Sequence, residues 1–181
     1  GVITRDARTA LPTTGVQSSE MASLYGSDGN DSVIVGNGSN IIITGGGADS
    51  VTAGDGGNVV AGDSATVSVT TTTKTLTSRS DTIGGNDDVT TGSGSDMVVL
   101  GTGDDMGMLG EGDNLVLGDS GMIFVDASVT RITSSSDDDG GDDTVSAGAG
   151  ADIAVLGTGG DEATLGDGAN RVLGDNGEIE Q

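Results

Sequence analysis

The 181-residue chain carries 35 Gly and 24 Asp, but one Phe, one Tyr, one Pro and no Trp, Cys or His, with a formal net charge of −23. Leu, Ile, Val and Phe sum to 39 residues, about a fifth, which together with that charge puts the chain at the border of disorder unless counter-cations sit among its carboxylates. Six Lys and Arg argue against a nucleic-acid partner, no apolar run approaches the roughly 18 residues of a membrane span, and the lack of Cys fits an extracellular chain stabilised by something other than disulfides.

Residues 1–25 read as a linker or edge-capping segment without the character of a secretory signal peptide. Leu11 to Gly15 spells LPTTG, a sortase-type signal, but no apolar span and basic tail follow it, so the match is read as coincidence. The opening on Gly1 and the stop at Gln181 inside a repeat read as a piece of something longer.

From residue 26 onward the chain repeats. GDGGNVVAGDSATV at 54–67, GEGDNLVLGDSGMI at 110–123 and GDGANRVLGDNGEI at 166–179 are spaced by 56 residues, which divides the chain into units 26–81, 82–137 and 138–181. Within each unit Asp or Asn recurs every nine residues: Asp31, Asn40, Asp49, Asn58; then Asp87, Asp96, Asp105, Asn114; then Asp143, Asp152, Asp161, Asn170. Each has Gly two residues before it, where a tight turn needs positive φ, and an alternating apolar run after it, as in Met97, Val98, Val99, Leu100. Val98 and Leu100 are expected to point one way, Met97 and Val99 the other. Nine residues therefore make one turn and one short strand, and eighteen make a coil with a turn on each side. Strands this short cannot bury an apolar face alone, so coils must stack. The expected fold is all-β: a parallel β-roll or β-solenoid of stacked 18-residue coils, in three 56-residue units with strand-like insertions.

These insertions, residues 62–81 and 118–137, alternate β-branched and polar residues but lack the GxGxD pattern. They form either a third coil or a hairpin over 66–79 and 122–135; the easy turn near Thr71 to Lys74 tips the reading toward the hairpin.

The nonapeptides, GSDGNDSVI at 26–34 and TGSGSDMVV at 91–99 among them, resemble the repeats-in-toxin (RTX) family, whose GGxGxDxUx repeat builds a calcium-loaded parallel β-roll. That resemblance covers about two thirds of the chain. It implies calcium as the cofactor and partner, with Asp31, Asp49, Asp87, Asp96, Asp105, Asp143, Asp152 and Asp161 as ligands beside main-chain carbonyls; oxygen-only ligation suits a hard cation. Asn40, Asn58, Asn114 and Asn170 fall at the same positions and would ligate through a neutral, weaker amide oxygen. The family's first Gly is apolar at Val35, Leu100, Leu109, Leu156 and Leu165, which adds one inward residue to each strand. Residues 18 apart should stack, pairing Asp with Asp on one side of the roll (31 with 49, 87 with 105, 143 with 161) and involving Asn on the other, so the first side is expected to bind calcium more tightly.

Other chemistries fit less well. No GxxxxGK[ST] occurs and Lys74 is the only lysine, which argues against a phosphate loop. Every carboxylate pair recurs from unit to unit, as stacking requires and a unique glycosidase pair does not, so no enzyme is expected. The Thr71 to Thr73 run has Ala127, Ser128 and Val129 as its counterpart in the next unit, too irregular for an ice-binding face. The turn acids Asp55, Glu111 and Asp167 and the GD-step acids Asp63, Asp119 and Asp175 read equally as ligands or as solvated charges, and Asp137, Asp138, Asp139 and Asp142 as solvated. The expected function is a calcium-binding structural repeat module of a secreted or cell-surface bacterial protein, such as an adhesin, surface layer or extracellular filament, folding when calcium binds. The alternative is the calcium-dependent secretion and folding tail of a secreted enzyme or toxin. Identical chains are expected to associate end to end, or through residues 1–25 of a neighbour, with no nucleic acid and no membrane span.

Overall fold

A computed structural model describes residues 23–26, 28–79, 84–135 and 140–181, and among them there is no helix. No helix is therefore long and apolar enough to cross a membrane. The LPTTG run, the other residues up to 22, and Asp137 to Asp139 lie outside the described residues.

In chain order the first strands are β1 (Ser23–Tyr25), β2 (Ser32–Val35), β3 (Ile41–Ile43), β4 (Ser50–Ala53), β5 (Val59–Ala61), β6 (Ala65–Val69) and β7 (Lys74–Ser78). The middle of the chain repeats the pattern with β8 (Asp88–Thr90), β9 (Met97–Val99), β10 (Met106–Met108), β11 (Leu115–Leu117), β12 (Gly121–Val125) and β13 (Thr130–Ser134). The end adds β14 (Thr144–Ala147), β15 (Ile153–Val155), β16 (Glu162–Leu165), β17 (Arg171–Leu173) and β18 (Glu178–Glu180).

Successive nonapeptides feed two different parallel sheets. One has six strands in the order β2-β4-β8-β10-β14-β16, the other seven in the order β1-β3-β5-β9-β11-β15-β17. Strands within a unit pair at a separation of 18 residues, Ser32 with Ser50 and Met97 with Leu115. Between units the separation is 38, Ser50 with Asp88 and Val59 with Met97, and the two steps together make the 56-residue period of the sequence.

The twenty additional residues of the longer step leave the parallel sheets as a hairpin, which settles the two readings of the insertion. β6 pairs antiparallel with β7 and β12 with β13, each strand starting one residue before the expected 66 and 122. Thr70 and Thr73 close the first turn, the Thr70 amide donating to the Thr73 carbonyl at 2.8 Å. Neighbouring hairpins also pair with each other, β7 with β12, and β18 joins β13, giving a third sheet in the antiparallel order β6-β7-β12-β13-β18.

This third sheet explains the burial pattern. The six-stranded sheet alternates exposed and buried residues, as in β2 and β4, because only one of its faces is covered. β5, β9 and β15 are buried throughout, because the seven-stranded sheet lies between the other two. One core, with Val33, Val51, Val89 and Val145 against Ile42, Val60, Val98 and Val116, fills the space between the parallel sheets. The second sets Leu76, Ile123 and Ile132 of the hairpins against Val59, Met97, Val99 and Leu117. Val98 and Leu100 thus enter the first core and Met97 and Val99 the second, opposite faces as the alternation requires. Val35, Leu100, Leu109 and Leu156 are buried in the first core and Leu165 packs against it. At the last strand of the seven the core stands open: Val172 is 47 % exposed, whereas Val116 and Val60 at the corresponding positions are 1 % and 0 % exposed.

Leu117 is fully buried beneath the hairpins, while Met108 lies 41 % exposed on the outer face of the six-stranded sheet. Leu117→Ala is expected to cost about 2–5 kcal/mol in a denaturant titration and Met108→Ala less than about 0.5 kcal/mol. Equal costs would contradict a core beneath the hairpin sheet.

Candidate carboxylate columns

The Asp and Asn residues of the nine-residue period sit immediately before strands. Asp31, Asp49, Asp87, Asp105, Asp143 and Asp161 enter the six-stranded sheet; Asn40, Asn58, Asp96, Asn114, Asp152 and Asn170 enter the seven-stranded one. At a strand entry the backbone N–H lies outside the regular ladder, and a short side chain with an oxygen three bonds from Cα can reach the neighbouring strand to satisfy it.

Both series do this along their whole length. In the first column Oδ1 of Asp49 accepts the Asp31 N–H at 2.7 Å, Asp87 that of Asp49 at 2.8 Å, Asp105 that of Asp87 at 2.7 Å, Asp143 that of Asp105 at 3.0 Å and Asp161 that of Asp143 at 2.9 Å. In the second, Asn58 accepts from Asn40, Asp96 from Asn58, Asn114 from Asp96, Asp152 from Asn114 and Asn170 from Asp152. The pairs at separation 18 are those expected from the sequence. The links at 38, which carry each column past the hairpin without a break, are additional. Stacking at this distance needs bare glycine in the turn: at Gly56, with φ of +119°, a Cβ would fall 2.6 Å from the Gly38 carbonyl oxygen.

The second carboxylate oxygen has no such use. Oδ2 of Asp31, Asp49, Asp87, Asp105, Asp143 and Asp161 in the first column, and of Asp96 and Asp152 in the second, is buried without a hydrogen-bond partner. Buried polar atoms in this state are rare and call for an explanation. Burial pushes the Asp49 carboxyl up to about 6, Asp87 and Asp143 to about 8 and Asp105 to about 9, with neighbouring carboxylates adding to the rise and backbone N–H donors opposing it. Burial also raises Asp96, against the Thr91 hydroxyl and the Asn58 backbone and side-chain N–H groups beside it and, more weakly, the Lys74 charge.

The GD-step acids divide. Asp63 and Asp119 are buried beside the first column, because the hairpins leave the parallel sheets on that side, whereas Asp175 is exposed. Oδ2 of Asp63 accepts the Thr102 N–H and hydroxyl at 2.7 and 2.8 Å, and Asp119 makes the same two contacts with Thr158. Their charges add to the rise at Asp87 and Asp143. Asp55, Glu111 and Asp167 are exposed. Asp55 is not simply solvated: its Oδ1 accepts the Ser93 N–H and hydroxyl, which hold its carboxyl below the usual range. Asp142 is exposed and caps the Gly160 N–H in the same manner, one of a set of outer turn contacts that its position next to a column residue could have signalled.

As a cation site the aspartates of the columns offer buried oxygen donors, which suits a hard cation. Backbone carbonyls stand nearby: a side chain added at Gly62 would meet both Asp87 Oδ2 and the Leu100 carbonyl, and one at Gly118 both Asp143 Oδ2 and the Leu156 carbonyl. The carboxylates are strung one per strand, and among the described residues no three acidic side chains gather into a single chelating group. The four asparagines depart from the expected ligand role. Oδ1 of Asn58, Asn114 and Asn170 is occupied by a backbone N–H, and Nδ2 of all four donates to turn carbonyls, Asn40 to Gly36 and Gly38 among them. A donor aimed into the turn repels a cation there.

No family model matches this sequence, and no match was found among curated proteins or solved structures.

An acid whose pKa is raised by folding contributes stability that is fully present below its unfolded pKa, near 4, and is lost as the pH climbs through its folded pKa. Stripped of metal by a chelator that works across the range, the protein should therefore lose thermal stability as the pH rises from 5 to 9, the window set by Asp49, Asp87, Asp143 and Asp105. A melting temperature that is flat or rising over this range would contradict the burial of these carboxylates.

Proposed function

We propose that the chain is a calcium-binding structural repeat module: a β-solenoid of 18-residue coils in three 56-residue units, whose carboxylate columns are closed by calcium as the chain folds. The observation that carries this reading is the continuous first column, six aspartates whose Oδ2 atoms are all buried and unpartnered in a chain of net charge −23. Such a column is satisfied either by protons, which Asp87, Asp105 and Asp143 lose only as the pH rises past about 8 to 9, or by cations. Bound calcium would supply the positive charge, held by Asp31, Asp49, Asp87, Asp105, Asp143 and Asp161 together with turn carbonyls. The buried Asp63 and Asp119 add negative charge where units meet. The resemblance to RTX nonapeptides supports calcium over other cations.

The setting that fits is a secreted or cell-surface bacterial protein built from such units, an adhesin, surface layer or filament, since extracellular calcium is abundant enough to hold sites of moderate affinity. At about 1–10 mM calcium and a site Kd near 10⁻⁴ M, each site contributes roughly 1.4–2.7 kcal/mol. The regular stacking offers spacing and rigidity and no unique reactive centre. Identical chains stacking end to end would cover the exposed Val172.

Circular dichroism decides the central point. At pH 7.5 a strand-rich spectrum is expected in millimolar calcium, lost in excess chelator and restored when calcium is returned. A spectrum that survives the chelator would sink the folding switch. Calcium titration of single variants tests the columns: Asp105→Ala should weaken binding by at least about tenfold more than Asn114→Ala, because only the former removes an unpaired buried carboxylate. Equal losses would place the affinity in the backbone carbonyls.

A further inference from the structure

The two columns differ by one atom at each asparagine. In both, Oδ1 accepts the backbone N–H of the preceding strand entry, so the branch left over is Nδ2 in asparagine and Oδ2 in aspartate. Where that atom is nitrogen, its surroundings are explicit. Asn58 Nδ2 donates to the Gly54 carbonyl at 3.1 Å, the Gly56 carbonyl at 2.8 Å and Asp96 Oδ1 at 3.0 Å. Asn114 Nδ2 repeats this with Gly110 at 3.1 Å, Gly112 at 2.9 Å and Asp152 Oδ1 at 3.0 Å. Three oxygens, one of them charged, converge on one N–H₂ group.

At Asp96 and Asp152 the same place holds an oxygen. Both residues are buried, 0 % and 1 % exposed, and neither Oδ2 accepts a hydrogen bond of normal geometry, although the buried Thr91 hydroxyl stands beside the Asp96 carboxylate. An oxygen on that branch brings no N–H of its own, and a carboxylate in a dry interior is tolerated only if a proton or other positive charge enters. The two residue types thus give alternative solutions to one electrostatic problem.

We infer that the asparagine amides of the second column stand in for the cation: each Asn entry closes with its own N–H donors the oxygen cluster that an Asp entry closes by taking up a cation, so that this column takes up cation at Asp96 and Asp152 alone. The inference rests on the calcium reading for the identity of the ion, and refines it by fixing which positions need one. The first unit, with Asn40 and Asn58, needs none in this column, and the next two need one each. The Asp/Asn pattern therefore sets how much cation each unit requires, and aspartate and asparagine are so nearly isosteric that the requirement can be moved without disturbing the turn.

Two double variants test this against the wild type at pH 7.5: Asp96→Asn with Asp152→Asn, and Asn58→Asp with Asn114→Asp. Calorimetric titration with calcium alone should show two fewer ions bound by the first variant. The calcium concentration at half-folding should fall several-fold for the first variant and rise for the second. An unchanged number of ions in the first variant, or a higher calcium requirement for it, would overturn the inference. If the wild type takes up no calcium and folds in chelator, the calcium reading fails separately and melting in chelator decides the amide inference. A midpoint higher by about 5 °C or more for the first variant and lower for the second upholds it; no change, or the reverse order, overturns it.

Discussion

A side-chain oxygen accepting the backbone N–H of the neighbouring strand entry is the contact on which the rest of this structure depends. It recurs at every described step of both columns, including those that span the hairpin, and it fixes register. A parallel sheet of three- and four-residue strands has few ladder hydrogen bonds with which to hold alignment, and a slip of one residue would turn its apolar face outward. Aspartate and asparagine at the entry resist that slip because only their short side chains reach the next strand without passing it. The glycines two residues earlier follow from the same requirement, since turns stacked this closely leave no room for Cβ.

The cost of this arrangement is charge. Asparagine accepts the same N–H without bringing in an anion, and the second column uses it at four of its six entries. The first column uses aspartate at all six, which places a line of ionisable groups in a dry environment. A register device made wholly of neutral side chains would fold unconditionally. One made of carboxylates must also offset the desolvation of each acidic group, so the choice of residue at a structural position bears on stability as well as on register.

Much of this was legible in the sequence because the governing constraints are local and repeated. The nine-residue period gave the strand entries, the 56-residue period the internal copies, and the alternation at Met97 to Leu100 the two faces of one strand. The burial of Asp63 and Asp119 was not legible. Like the exposed Asp175 they follow a Gly in the same GD step, and what buries them is distant in sequence: Thr102 and Thr158 lie 39 residues further on to receive them. The role of the asparagines was hidden as well. Composition makes Asn a weak version of Asp, whereas geometry turns its nitrogen toward the turn carbonyls and makes it a donor. The second core was missed for a further reason: Leu76, Ile123 and Ile132 belong to segments without the nonapeptide pattern, and their partners in the seven-stranded sheet come from several turns of the repeat.

The hairpins return the chain to the stack as though they had not intervened. Asp49 meets Asp87 across 38 residues with the same contact, at 2.8 Å, that Asp31 makes with Asp49 across 18 at 2.7 Å. What lies between the two ends of the excursion has no bearing on the geometry of the column, provided that it leaves after Asp63 and comes back through Gly84 and Gly85 to Asp87. The outer turn at Thr70 to Thr73 is correspondingly a point at which the architecture can accept foreign sequence. Decoration could be added at intervals of one unit, all on one face and at constant spacing, while the parallel sheets beneath remained the same scaffold.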